Sequence, residues 1–221
     1  VPRAIAEYVA VHDLEIDGFA SAEAQIAAIA DDIAYNNHDI DDGLRAGLFS
    51  VDDLADVPLV GPVFAEVQAA YPDLDESRMI HESVRRLIGA MVHDLLDETK
   101  RRVEAARPNS AADVRRMDHS LAGFSAEMAE NDKALKAFLF ENMYRHYKLN
   151  RMTSKARRVV RDLFELLTNE PECLPTERRI KAHEPNSHET AQLVADYIAG
   201  MTDRHALDEH RRLFDVQART S

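Results

Sequence analysis

Asp31, Tyr35 and Asp39 are the residues of this 221-residue chain whose types and spacing could do chemistry. They lie in SAEAQIAAIADDIAYNNHDIDDG, Ser21 to Gly43. If that segment is helical, positions i, i+4 and i+8 stack along one face. A carboxylate is a hard anionic ligand that suits Mg or Mn. Ala24, Ala27 and Ala28 flank the stripe and leave room for a group to approach Asp31 closely. Asp32 projects about 100° away and reads as a solvent-facing or supporting acid. By spacing alone, the same three residues also describe the ordinary polar face of an amphipathic helix.

A second informative stretch is ALKAFLFENMYRHYKLNRMTSKARRVVRDLF. Lys136 and Tyr144 are eight residues apart, which places them on nearly the same face of one helix. Read alone, Tyr144 is equally a core aromatic, Lys136 a solvated charge and His146 a helix-end polar residue. From Arg145 to Arg161 the chain carries seven Lys/Arg and no acid. Such a run can hold a polyphosphate, an effector nucleotide or single-stranded DNA, or it can be a solvated face answering acids on a neighbouring helix or subunit.

EAQIAAIADDIAYNNHDIDDGLRAG closely resembles the last motif block of the deoxyguanosine-triphosphate triphosphohydrolase-like family, a branch of the HD-domain phosphohydrolases. The block around Tyr144-Arg145-His146 is similar to a second block of the same family, and the likeness extends over nearly the whole chain. The resemblance implies that Asp31 is a metal-ligating carboxylate. It implies that Tyr35 lies along the nucleotide's phosphates and sugar, and that Asp39 accepts a hydrogen bond from the deoxyribose 3′-hydroxyl. Lys136 would contact the phosphates, Tyr144 would pack against the deoxyribose and help exclude a 2′-hydroxyl, and His146 would be a supporting polar residue.

The implied activity is metal-dependent hydrolysis of a deoxynucleoside triphosphate to deoxynucleoside and triphosphate, with Mg or Mn as cofactor. The implied partners are a dNTP and further copies of the chain in a homo-oligomer; an effector dNTP or single-stranded DNA is the further partner that the basic run Arg145–Arg161 leaves open. The family's upstream His, its His-Asp pair and its catalytic His groups have no counterpart before Asp31. His93-Asp94 follows that residue instead of preceding it, and its two side chains diverge on the helix. The chain also starts Val1-Pro2 without Met. It therefore reads as the C-terminal part of such an enzyme, inactive alone and not retaining the metal by itself. The other reading is a non-catalytic helical scaffold or regulatory protein that binds nucleotide or partner subunits.

The elements that must position these residues read as helices throughout. Ser21 is a good N-cap, Glu23 sits in the first turn where the helix dipole favours an acid, and Ile26, Ile29, Ala30 and Ile33 form the expected core face. Helices are expected near Val1–Val11, Val63–Ala70, Asp75–Ala106 and Ala111–Asp118. Another is expected from Ser125 to His146, with an interruption near Asn131-Asp132. Ser50 with Asp53, Ser110 with Asp113, and Asn186 with Glu189 read as caps. Pro-rich Asn169–Ser187 reads as a loop, and Gly200 as a terminator.

The predicted fold is an all-α, HD-domain-like multi-helix bundle, N-terminally incomplete. Residues 1–47 would be the end of a catalytic core, and 48–221 a helical region completing the nucleotide site and oligomer contacts. Composition agrees: 7 Gly, no Trp and few alternating β-branched runs argue for helices. The single Cys173 excludes an internal disulfide and fits a reducing cytoplasm. No apolar run approaches the roughly 20 residues a membrane span needs. A net charge of −13 does not suit general nucleic-acid binding and would repel a nucleotide unless a metal or local bases offset it.

Overall fold

The computed structural model describes residues 2–14 and 17–218, all-α with ten α-helices and no strand among them. Two compact units divide at His146 and Tyr147. The boundary expected at 47/48 thus falls inside the first unit, because the helix carrying Asp31 packs on helices that come later in the chain.

In the first unit, α1 (Arg3–Val9) precedes α2 (Ala22–Arg45), α3 (Val60–Ala70), the 31-residue α4 (Glu76–Ala106), the short α5 (Ala111–Arg115) and α6 (Ala126–Leu139). The starts are local and chemical. Ser21, Asp75, Ser110 and Ser125 each accept from the backbone N–H three residues on. Helix α4 stops at Arg107 in the left-handed region, directly before Pro108, which cannot continue it. The Ser50 and Asp53 pair forms as read, with the Asp53 carboxylate accepting from both the Ser50 backbone and hydroxyl.

α2 lies against α4 and α6, and α3 against α4. Ile40, Leu54, Val60, Leu87, Leu135 and Leu139 join one apolar cluster; Ile33, Met91, Leu95 and Met128 form a second. The buried face of α2 is rotated from the expected one. Ile33 is buried and Ile29 partly so, but Ile26 and Ala30 are exposed. Gln25, Asn36, Asn37, Ile40 and Gly43 complete the face instead. Gly43 is not the helix end: it lies inside α2, where a Cβ would stand 2.3 Å from the Phe49 ring. Its missing side chain lets Phe49 pack there.

α6 is not interrupted at Asn131-Asp132. It runs intact to Leu139 and passes into a π turn, Phe140–Tyr144, closed by Arg145 N–H donating to Phe140 O at 3.0 Å, an i to i+5 bond. The interruption belongs where the chain must turn Tyr144 toward α2.

The second unit holds α7 (Tyr147–Asn169), α8 (Thr176–Arg179), α9 (His188–Ala199) and α10 (Asp203–Phe214). Leu167, Leu174 and Val194 form its core. The expected loop at 169–187 contains a short 3-10 turn and α8. Ser187, not Asn186, caps α9; its hydroxyl accepts from Thr190 N–H, while Asn186 takes φ 60.

Candidate functional site

The polar face of α2 and the end of α6 meet in the first unit. The Tyr144 hydroxyl donates to Asp39 Oδ2 across 105 residues of sequence. Lys136 Nζ lies 3.0 Å from Asp32 Oδ2 and 2.9 Å from Asp132 Oδ2. Asn36 Nδ2, on the buried side of α2, donates to Asp132 Oδ1 at 2.8 Å. Two ties thus join α2 to the segment 132–144: a neutral-donor bond at Asp39 and a charged cluster one turn or more away. Asp132 has only 13% of its side chain exposed, whereas Asp32 has 58%. One carboxylate of the pair is part of the framework and the other is open to exchange.

The electrostatics follow from these contacts. The Asp39 hydrogen bond, with burial and the carboxylate's charge behind it, pushes the Tyr144 phenol up to about 12. At neutral pH Tyr144 is therefore a protonated donor. Partial burial works against the Lys136 charge, but the hydrogen bonds it donates to Asp132 and Asp32 outweigh it and raise the ammonium above its ordinary value. An ionised carboxylate has about four lone-pair sites, so Asp39 can take a second donor without releasing Tyr144.

Of the expected site residues, Asp31, Tyr35 and Asp39 lie on α2, Lys136 on α6 and Tyr144 in the π turn. Lys136 and Tyr144 each reach an α2 carboxylate. Tyr35 is 63% exposed. Asp31 is exposed, and its side chain joins no ion pair among the described residues. His146 is half-buried just beyond the π turn, its backbone N–H donating to Met143 O at 2.9 Å. Asn36 and Asp132 are the residues that the sequence reading missed. The Asp132-x3-Lys136 spacing is an i,i+4 ion-pair signal that could have exposed one of them; nothing local points from Asn36 to Asp132.

Among the described residues, no group of three or more His, Cys, Asp or Glu could hold a metal ion. One exposed carboxylate at Asp31 does not by itself fit a divalent cation, which takes six or more oxygen ligands. His93 and Asp94 diverge as read. His93 is exposed with Nδ1 against Gly89 O, while Asp94 accepts from the Ser125 backbone and hydroxyl and anchors the start of α6.

In the second unit, Asn150, Thr153, Ser154, Arg157, Arg158 and Arg161 of α7 line an open polar groove of about 350 Å³. Among the described residues, Lys155, Arg157, Arg158 and Arg161 join no ion pair. Asp162, next in the chain, is taken by His210 Nε2 at 2.8 Å.

Residues 122–212 match the family model described as a phosphohydrolase-associated domain. Over that stretch the chain is thus similar to a helical phosphohydrolase-associated domain. Relatives named deoxyguanosinetriphosphate triphosphohydrolase-like protein are similar to nearly the whole chain. The one from Parvibaculum lavamentivorans is 60% identical over 216 residues, covering 98% of this chain and 54% of its own length. Those from Caulobacter vibrioides and Bradyrhizobium diazoefficiens are 53% and 47% identical, each covering 97% of this chain and 54% of their own. Over its own extent the chain is similar to these proteins, and it spans about half the length of these curated relatives. No helix among the described residues is long and apolar enough to cross a membrane.

Proposed function

We propose that this chain supplies one wall of the substrate pocket of a dNTP triphosphohydrolase, a hydrolase that splits a deoxynucleoside triphosphate into deoxynucleoside and triphosphate. The observation that carries the reading is the meeting of Asp39 with Tyr144 beside Lys136, between elements about a hundred residues apart. The relatives' names and the phosphohydrolase-associated match support the hydrolase class.

In this reading the sugar end lies at Asp39 and Tyr144. Asp39 accepts the 3′-hydroxyl, and the protonated Tyr144 both orients that carboxylate and fills the space a 2′-hydroxyl would need. The phosphate end lies at Lys136. A phosphate oxygen displaces the exposed Asp32, while the sheltered Asp132, braced by Asn36, keeps the ammonium aimed. Tyr35, exposed between Asp31 and Asp39, lies along the bound nucleotide. His146 supports the end of the same segment. Asp31 offers one carboxylate to a Mg or Mn ion whose remaining ligands lie outside this chain. That assignment, like the reading of the chain as part of a longer enzyme, is supported by the half-length match to its relatives. The basic groove on α7 is where a polyanionic partner, an effector dNTP or single-stranded DNA, would bind.

The test is triphosphate release from dNTPs and from NTPs with Mg or Mn, using this chain and a protein extended to its relatives' length. Release only by the extended form is expected, lost in Asp31→Ala and with weakened preference for the deoxy substrate in Asp39→Asn. Release by this chain alone would overturn the assignment of Asp31 as one ligand among several. Nucleotide binding with no release by either form would favour a regulatory role.

A further inference from the structure

The π turn Phe140–Tyr144 is an extra residue's worth of helix inserted between the two substrate-facing side chains of one element. Eight residues of ideal α-helix leave Lys136 and Tyr144 about 80° apart around the axis, so the spacing read from the sequence aligns them only loosely and plain α-helix does not put them on one face. Five residues wound at about 4.4 per turn, roughly 82° each, bring the two back to within about 10°. Contacts that hold the turn include Arg145 N–H to Phe140 O at 3.0 Å, Asn142 Nδ2 to Phe138 O at 3.0 Å, a side chain reaching a carbonyl four residues back, and the Arg145 guanidinium, 3.5 Å from Glu141 Oε1 and 4.7 Å over the Phe140 ring. The apolar side stays seated through it. Leu139 and Met143 both pack on the same core cluster, so the turn rotates the chain without lifting it from the core.

We infer that this π turn is the register device of the sugar end: it accommodates one extra residue so that Tyr144 meets Asp39 on the face already occupied by Lys136. The inference rests on the reading of Asp39 and Tyr144 as the sugar contact. It also makes a counter-intuitive prediction. Removing the extra residue preserves the geometry, because seven residues of plain α-helix leave only about 20° between the two positions. Adding one destroys it, because Tyr144 swings a further 100° or so.

The experiment compares deletion of Asn142 with insertion of one Ala after Asn142, in the protein extended to its relatives' length. The readouts are the preference for dGTP over GTP in triphosphate release and an NMR contact between the Tyr144 ring and the Asp39 side chain. The deletion is expected to keep both, with the preference within about threefold of the parent. The insertion is expected to lose the contact and to lower the preference about ten- to a hundredfold, as for one hydrogen bond to a charged group. A deletion as damaging as the insertion, in a protein with parental circular dichroism, overturns the inference. So does an insertion that keeps the Tyr144–Asp39 contact, which decides the matter even if the deletion fails to fold. Tyr144→Phe and Asp39→Asn are the references. If both leave the deoxy preference unchanged, the sugar-site reading fails, and the contact measurement alone then decides the register inference.

Discussion

Asp132→Ala is the sharpest test of the charged cluster. The substitution removes the acceptor of the Asn36 amide, a side chain on a residue 6% exposed, and with it one of the two carboxylates at Lys136. A buried donor left without its partner costs about 1–3 kcal/mol. Losing the i,i+4 pair at a partly exposed lysine adds at most about 0.5 kcal/mol. The expected loss is therefore about 2 kcal/mol, or about 4–8 °C in Tm for a unit of this size. Asp132→Asn keeps an oxygen for the Asn36 amide and surrenders only the charge, so it should cost less than about 1 kcal/mol. Urea unfolding followed by helical circular dichroism measures both, and a double-mutant cycle with Asn36→Ala isolates the bond. A coupling of about 1–2 kcal/mol is expected. A coupling under about 0.5 kcal/mol, or equal losses from the Ala and Asn variants, would refute the view that Asn36 and Asp132 brace Lys136.

Gln25→Ala should cost about 2 kcal/mol in the same unfolding assay, because the buried side chain donates to Ala20 O at 2.8 Å and accepts from the Ser120 hydroxyl and the Ala122 N–H, leaving that buried N–H without an acceptor; an unchanged midpoint would contradict it. Gly61→Ala should lower stability by at least about 2 kcal/mol, since its Cβ would stand 2.1 Å from Ala55 O and 2.8 Å from Leu54 O, rigid backbone that must move. The Glu82 carboxylate is held down to about 2 by hydrogen bonds from Arg85 and Arg86. Its folded value lies below the unfolded one, so its contribution is complete above about pH 4.5 and lost as pH falls toward 2. NMR titration of Glu82 should show that low midpoint, and Arg85→Ala with Arg86→Ala should return it toward 4.5.

Much of the helical grammar was legible in the sequence, because caps act over three residues and amphipathic stripes over four. Ser21, Asp75, Ser110 and Ser125 start their helices by bonds to the backbone three residues on, whatever lies elsewhere in the fold. The Asp31, Tyr35 and Asp39 stripe follows from the same periodicity. Its errors were also local. Ile26 carries the right apolarity for a core face and lies exposed, whereas Asn36 and Asn37 carry the wrong polarity and lie buried. Periodicity cannot tell which of two neighbouring faces finds a partner.

What only the tertiary structure decided lies at sequence separations of 96 to 105 residues: Asn36 on Asp132, Asp32 on Lys136, Asp39 on Tyr144. No propensity reaches that far, because such contacts depend on how α2, α4 and α6 stack. The π turn belongs to the same class. A plain helix from Ser125 to His146 satisfies every local preference, yet burial of Leu139 and Met143 on one side and the bond from Tyr144 to Asp39 on the other demand a rotation that α-helical winding does not provide.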